Sequence, residues 1–138
     1  MNKQSILLGT LLVLMAGWVS ALPITITEQQ QFNFGKAYIG ANSCDVDFNG
    51  TLSGNCIGTG KQALIQITAD PNTSLSVSVS SPGWVNGLRL TVSTQKKFSP
   101  KTNGAGIVVF PLACKLQLQN NITGGAKVLQ YTITVNYQ

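Results

Sequence analysis

Val128-Leu129-Gln130-Tyr131-Thr132-Ile133-Thr134-Val135-Asn136-Tyr137-Gln138 is the stretch that decides the fold class. Leu129, Tyr131, Ile133, Val135 and Tyr137 share one parity, and Gln130, Thr132, Thr134, Asn136 and Gln138 share the other. Successive strand side chains point to opposite faces, so the pattern predicts a strand over Val128–Tyr137 with one face on a core and the other in water. Such a strand presents an apolar ladder and a hydrogen-bonding edge that something must cover. Pairing within its own domain satisfies it, and so does a partner strand added from another chain.

Working outward from that stretch, nothing between Leu22 and Gln138 reads as a helix. The signal is period-two alternation rich in Thr, Val and Ile, punctuated by Gly, Asn, Pro and Ser. Leu22, Ile24 and Ile26 alternate with Pro23, Thr25 and Thr27, and Phe32 and Phe34 keep the same parity after the polar Glu28–Gln31. Val46 and Phe48 precede an Asn49-Gly50 turn. Leu64, Ile65 and Ile67 form the next strand, closed by Asp70-Pro71-Asn72, where proline presets φ and the flanking side chains bond their own backbone. Leu75, Val77 and Val79 alternate with serines up to Ser81-Pro82-Gly83, and Leu88, Leu90 and Val92 form another strand. After a polar loop over 99–106 come two short strands, Ile107–Phe110 and Cys114–Leu118. About eight short strands with turn signals every 8–12 residues predict an all-β chain, a β-sandwich with immunoglobulin-like or related topology. No repeat or linker divides it, so 22–138 is expected to be a single domain.

Residues 1–21 have a different character. Lys3 gives a positive start, Ile6–Val19 is mostly apolar, and Val19-Ser20-Ala21 resembles a small-residue cleavage site. This is the layout of a secretory signal peptide cut after Ala21. A membrane anchor is the competing reading, but the run falls short of the roughly 20 apolar residues a span needs. Export implies an oxidising compartment, and hence one disulfide among Cys44, Cys56 and Cys114. Three pairings exist. Cys44–Cys56 is favoured, because a hairpin turning at Asn49-Gly50 sets the two roughly opposite each other. Cys114 is then a small buried apolar residue or an unpaired thiol.

Composition argues against chemistry. The chain has no histidine, which removes Ser-His-Asp and Cys-His sites and a histidine base. Without histidine or a Cys-x-x-Cys pair a zinc site is not expected. Asp45 and Asp47 sit two apart on a strand and are read as a solvated face, too few oxygens for a hard cation. Gly58-Thr59-Gly60-Lys61 lacks the spacing of a phosphate loop, and three Asn-x-Ser/Thr triplets, at Asn49, Asn72 and Asn121, read as turns. The balance is mildly basic, but only Lys96, Lys97 and Lys101 cluster, so nucleic-acid binding is not expected. No cofactor, metal or enzymatic activity is expected, and no membrane span once the leader is removed.

The end of the chain resembles that of chaperone–usher pilus subunits. These typically carry a penultimate aromatic residue, a glycine fourteenth from the end, and alternating apolar residues between. Here Tyr137 is penultimate, Gly125 is fourteenth, and Leu129, Tyr131, Ile133 and Val135 fill the slots. The remainder is similar to a family of secreted bacterial proteins catalogued as domain of unknown function 4402, through Ile24-Thr25-Ile26-Thr27, Phe34-Gly35, Ala69-Asp70-Pro71-Asn72 and Thr134-Val135-Asn136-Tyr137. The resemblance implies an immunoglobulin-like fold missing one strand, with Gly125, Leu129, Tyr131, Ile133, Val135 and Tyr137 as the zipper for a partner strand. A periplasmic chaperone would fill the gap first. In the fibre, delivered by an outer-membrane usher, the N-terminal extension of another subunit would replace it. Leu22, Ile24, Ile26, Phe32 and Phe34 would be the donor residues, unless that segment is the domain's own first strand. The implied role is a structural subunit of a cell-surface fimbria. The alternative is a self-complete secreted sandwich that binds a surface ligand such as a glycan, with Trp84 either stacking on the sugar or anchoring the core. An N-terminal segment unpaired in the monomer favours the pilin, and one bound in its own sheet favours the complete domain.

Overall fold

The computed structural model describes residues 20–39, 43–96, 98–125 and 127–138; the expected leader lies outside them except for Ser20 and Ala21. Among the described residues there is no helix, and hence none long and apolar enough to cross a membrane. Ten strands form: β1 (Thr25–Gln30), β2 (Lys36–Ala37), β3 (Cys44–Val46), β4 (Leu52–Gly54), β5 (Cys56–Ile57), β6 (Ala63–Thr68), β7 (Leu75–Ser80), β8 (Leu88–Ser93), β9 (Ile107–Leu118) and β10 (Thr132–Tyr137). Every pairing is antiparallel. The chain is all-β, as its alternation requires.

The large sheet runs β1-β6-β9-β3-β4, with β8 also on β9. Strand β9 organises it. Its first half pairs with β6, from Ala63↔Leu112 to Thr68↔Ile107. Its second half pairs with β8 from Leu88↔Leu118 to Ser93↔Ala113, and with β3 over Val46↔Cys114 and Cys44↔Leu116. The expected break between Phe110 and Cys114 does not occur: one strand runs through Pro111. Proline fits because β9 has β6 as its one ladder partner over 107–112, so an N–H directed to the other edge is not needed. A second, two-stranded sheet is the β7–β10 ribbon, in register from Thr132↔Ser80 to Tyr137↔Leu75. A third is the short β2–β5 ribbon, Lys36↔Ile57 and Ala37↔Cys56.

Alternation on β6 and β8 places Ala63, Ile65, Ile67, Leu88, Leu90 and Val92 in the core, joined by Phe110, Leu112, Cys114 and Leu116 from β9. Strands β7 and β10 pack on this cluster from the other layer, an arrangement consistent with a β-sandwich. Their faces close it incompletely. Leu75 is fully buried, whereas Val77, Val79, Ile133, Val135 and Tyr137 are only half-buried.

The expected strand over Val128–Tyr137 begins only at Thr132. Its partner β7 ends at Ser80, and the chain then turns through Ser81 and Pro82, so 128–131 has no ladder to join. The β3–β4 hairpin turns at Asn49-Gly50 as expected. Asp47 sets the turn, its Oδ1 accepting the N–H groups of Asn49 and Thr51, each at 2.8 Å. Asp45 departs from the solvated face expected of it: its Oδ1 is buried without a hydrogen-bond partner among the described residues, and its Oδ2 accepts from Ser43 Oγ. The disulfide is Cys44–Cys56, with Cα atoms 5.4 Å apart, and Cys114 is free and buried.

Candidate functional site: the flank between the first and last strands

The residues singled out at the two ends of the sequence come together along one side of the molecule. Strand β1 is the edge of the large sheet and β10 lies on the β7–β10 ribbon. Tyr137 reaches Leu22 and Tyr131 reaches Glu28, so β10 and the first segment run antiparallel across the flank. Tyr137 Oη donates to the Leu22 carbonyl at 2.6 Å and accepts from the Asp70 N–H at 3.1 Å. Tyr131 Oη donates to Glu28 Oε1. No backbone ladder joins β1 to β10; among the described residues β10 has β7 as its one strand partner, and β1 has β6. The two edges are therefore bridged only by the length of tyrosine side chains. Burial pushes the Tyr131 hydroxyl above its ordinary range, and its hydrogen bond to Glu28 and that carboxylate's charge add to the rise.

An open groove of ≈ 930 Å³ lies along this flank, walled by Ile26, Glu28, Ile65, Ser81, Leu129 and Ile133. A neighbouring cleft of ≈ 650 Å³ continues under the segment after β1, against Phe32, Phe34, Leu90, Leu116, Ile122 and Leu129. Both are lined by a mixture of apolar and polar side chains, Ile26, Ile65, Leu129 and Ile133 with Glu28 and Ser81 in the first and Phe32, Phe34 and Leu90 with Glu28 in the second.

The zipper residues divide. Leu129, Tyr131, Ile133, Val135 and Tyr137 are half-buried and pack on the core, while the intervening residues are exposed, so the alternation is realised in space. Gly125 is exposed with φ 116°, and an added Cβ there would touch nothing within 4 Å; backbone conformation, not space, sets its identity.

The segment expected to be either a donor or the domain's own first strand is bound in its own sheet. Strand β1 pairs with β6 from Thr25↔Thr68 to Gln30↔Leu64, with an irregularity between Glu28 and Gln30. That is the arrangement expected of a complete domain. The pairing is shallow, however. Leu22 is 54% and Ile26 40% exposed, and only Ile24 of the three packs on the core. Phe32 and Phe34 do not extend β1. They lie beyond it and pack against the flank, Phe32 edge-on to Tyr131 at 5.7 Å between centroids. Gly35 follows at φ 61°, where a Cβ would sit 2.3 Å from the Ile57 carbonyl oxygen. The Phe34-Gly35 pair thus marks where the chain crosses onto the β2–β5 ribbon.

Two features escaped the sequence. Thr102, 3% exposed, donates to the Asp70 carbonyl at 2.5 Å and accepts from the Thr73 N–H at 2.9 Å, fixing the turn that presents Asp70 to the flank. A lone threonine in a polar loop carries no signal of this. Asn86 and Gly87, at φ 49° and 79°, close a tight hairpin in which Val85 and Leu88 exchange both backbone hydrogen bonds. Asn-Gly is a readable signal for this turn. It leaves Trp84 47% exposed, so Trp84 is not a core anchor. Among the described residues no group of three or more Cys, Asp or Glu converges. No family model matches the chain, and no curated protein or solved structure matches it either.

Proposed function

We propose that the chain is a structural subunit of a bacterial surface fimbria, exported behind a leader cut after Ala21 and joined to its neighbours by β-strand donation. The observation that carries this reading is the open flank: two edges, β1 and β10, face each other across an open groove that Ile26, Ile65, Leu129 and Ile133 help to line, and are bridged by tyrosine hydroxyls instead of a ladder. In this reading the sandwich is immunoglobulin-like and lacks one strand, and the free edge of β10 is the acceptor. A donor strand supplies backbone hydrogen bonds to that edge and alternate apolar side chains to the groove. A periplasmic chaperone covers the edge in transit and an outer-membrane usher delivers the subunit. Repeating one head-to-tail contact does not close, so it builds a filament. Because β1 is docked on β6, donation by the Leu22–Phe34 segment requires it to leave its own sheet, and its exposed side chains make that departure shallow. The role is structural, with no reaction assigned.

A second reading has its own support. The β1–β6 pairing favours a self-complete secreted sandwich, and the exposed Trp84 offers an aromatic face to a surface ligand such as a glycan.

Size-exclusion chromatography and thermal melting of mature protein without a chaperone, with and without a peptide of residues 22–34, discriminate the two. Polymerisation or a low melting point, raised sharply by the peptide, supports strand donation. A highly stable monomer indifferent to the peptide removes donation by this segment and leaves the self-complete domain.

A further inference from the structure

Leu22 is held more firmly at its backbone than at its side chain. Its nitrogen donates to Asp70 Oδ1 at 3.0 Å, and its carbonyl accepts from Tyr137 Oη at 2.6 Å. Tyr137 Oη in turn accepts from the Asp70 N–H at 3.1 Å. Three residues far apart in sequence thus close a small ring, with the Asp70 turn pinned from behind by Thr102. The Leu22 side chain is 54% exposed and plays little part.

We propose that Asp70 and Tyr137 form a receiving site for the α-ammonium group created on Leu22 by leader removal, and that its docking latches β1 to the flank. The inference rests on the reading above that the leader is cut after Ala21. In the uncut chain the Leu22 nitrogen is an uncharged amide with one hydrogen, already spent on Asp70. A leader peptidase hydrolyses the Ala21–Leu22 bond: water gives its hydroxyl to the Ala21 acyl carbon and a proton to the Leu22 nitrogen. At neutral pH that nitrogen takes up a further proton and becomes an ammonium. The neutral hydrogen bond then becomes a charge-assisted one, at the same atom and without rearrangement. Tyr137 holds the adjoining carbonyl, which keeps Leu22 beside the carboxylate.

The latch acts on a strand that little else holds. Apart from Ile24 and Gln30, residues 22–30 are exposed, so the β6 ladder, the Tyr131–Glu28 and Gln30–Gln62 hydrogen bonds and this ring carry the attachment. Processing therefore tightens the seat of β1, and the uncut chain keeps that strand the looser of the two.

The test uses mature protein whose first residue is set to Leu22 by a removable tag. It is compared with the same protein acetylated at the α-amine and with one that retains Ala21, each in wild type and in Asp70→Asn. Hydrogen exchange of the β1 amides is the readout. Blocking or displacing the charge should raise β1 opening about two- to five-fold in wild type, the range for an exposed ion pair, with the β6 and β9 amides unchanged. In Asp70→Asn the same blocks should have no effect. Equal effects in both backgrounds, or none in wild type, overturn the latch. If Asp70→Asn fails to fold, Tyr137→Phe replaces it and should likewise shrink the response to acetylation. Sequencing the N-terminus of exported protein tests the leader separately: a start other than Leu22 ends the processing reading and leaves the site's affinity for an amine to be judged by the cycle.

Discussion

Removing the Cys44–Cys56 bridge should destabilise the domain by about 3 kcal/mol. The cross-link closes a loop of sequence separation 12. The chain-entropy relation for such a loop gives about −9.5 cal/mol/K for the unfolded state, or about 2.8 kcal/mol at 25 °C. The bridge fastens β3, at the edge of the core, to the β2–β5 ribbon, which buries little of its own: Ile57 is exposed and Ala37 half-buried. Backbone hydrogen bonds from Tyr38 to Asn55 and from Asn55 to Ser43 also tie it down, and each is worth less than the bridge. For a domain of this size about 3 kcal/mol corresponds to a fall of about 12 °C in melting temperature. The assay is urea unfolding of oxidised protein, of reduced protein, and of the Cys44→Ala/Cys56→Ala variant. Reduction removes the cross-link without a cavity. The double variant adds a small cavity at Cys44, which is fully buried, and should fall below the reduced protein by a further ~1 kcal/mol. A difference under about 1 kcal/mol between oxidised and reduced protein would refute the reasoning, since the unfolded chain would then be gaining no freedom when the loop opens.

Alkaline solution should destabilise the fold. Burial, with the Asp45 charge second, raises the Cys114 thiol above its ordinary 9.0, and Tyr131 is raised above its ordinary 10.0. Folded groups with raised values keep protons that the unfolded chain gives up. Their stabilisation is therefore complete below pH 9 and declines as pH climbs through 9 and 10, at up to about 1.4 kcal/mol per pH unit for Cys114. Melting curves from pH 7 to 11 check this, and Cys114→Ala and Tyr131→Phe should each flatten the decline; a flat wild-type profile contradicts it. Gly35→Ala should cost about 2 kcal/mol or more in urea unfolding, because φ 61° disfavours a side chain and the new Cβ would meet Ile57's carbonyl oxygen. A loss below 0.5 kcal/mol, on the order expected of a surface change, would mean the crossing onto the ribbon is not as described. Trp84→Ala should shift stability by no more than about 0.5 kcal/mol, and acrylamide should readily quench the fluorescence of Trp84; a loss above about 2 kcal/mol would return this residue to the core.

Much of the architecture was legible because side-chain parity is a local property. Ser-Val-Ser-Val-Ser and Leu-Arg-Leu-Thr-Val each name a strand and its inward face wherever that strand is placed. Asn49-Gly50 and Asp70-Pro71-Asn72 announce turns by the conformations those residues favour. The Cys44–Cys56 pairing was favoured from one such turn: the hairpin sets Cys44 opposite Gly54, and Cys56 reaches it from two residues further on, in β5. The inward parity of Leu129, Tyr131, Ile133, Val135 and Tyr137 was legible for the same reason, and their alternate burial bears it out.

Where each strand stops and which edge it meets depended on distant residues. Strand β10 begins at Thr132 because β7 turns away after Ser80. Strand β9 runs through Pro111 because its first half has one ladder partner, a fact written in the position of β6 and not in the proline. Strand β1 docks on β6, a partner that its own alternation does not name. The ring of Leu22, Asp70 and Tyr137 joins residues separated by 48, 67 and 115 positions, held by a threonine that no local pattern marks. Parity and turn chemistry are short-range, and a chain carries them before it folds. Edge pairing and the reach of a hydroxyl are long-range, and they exist only once the layers have met.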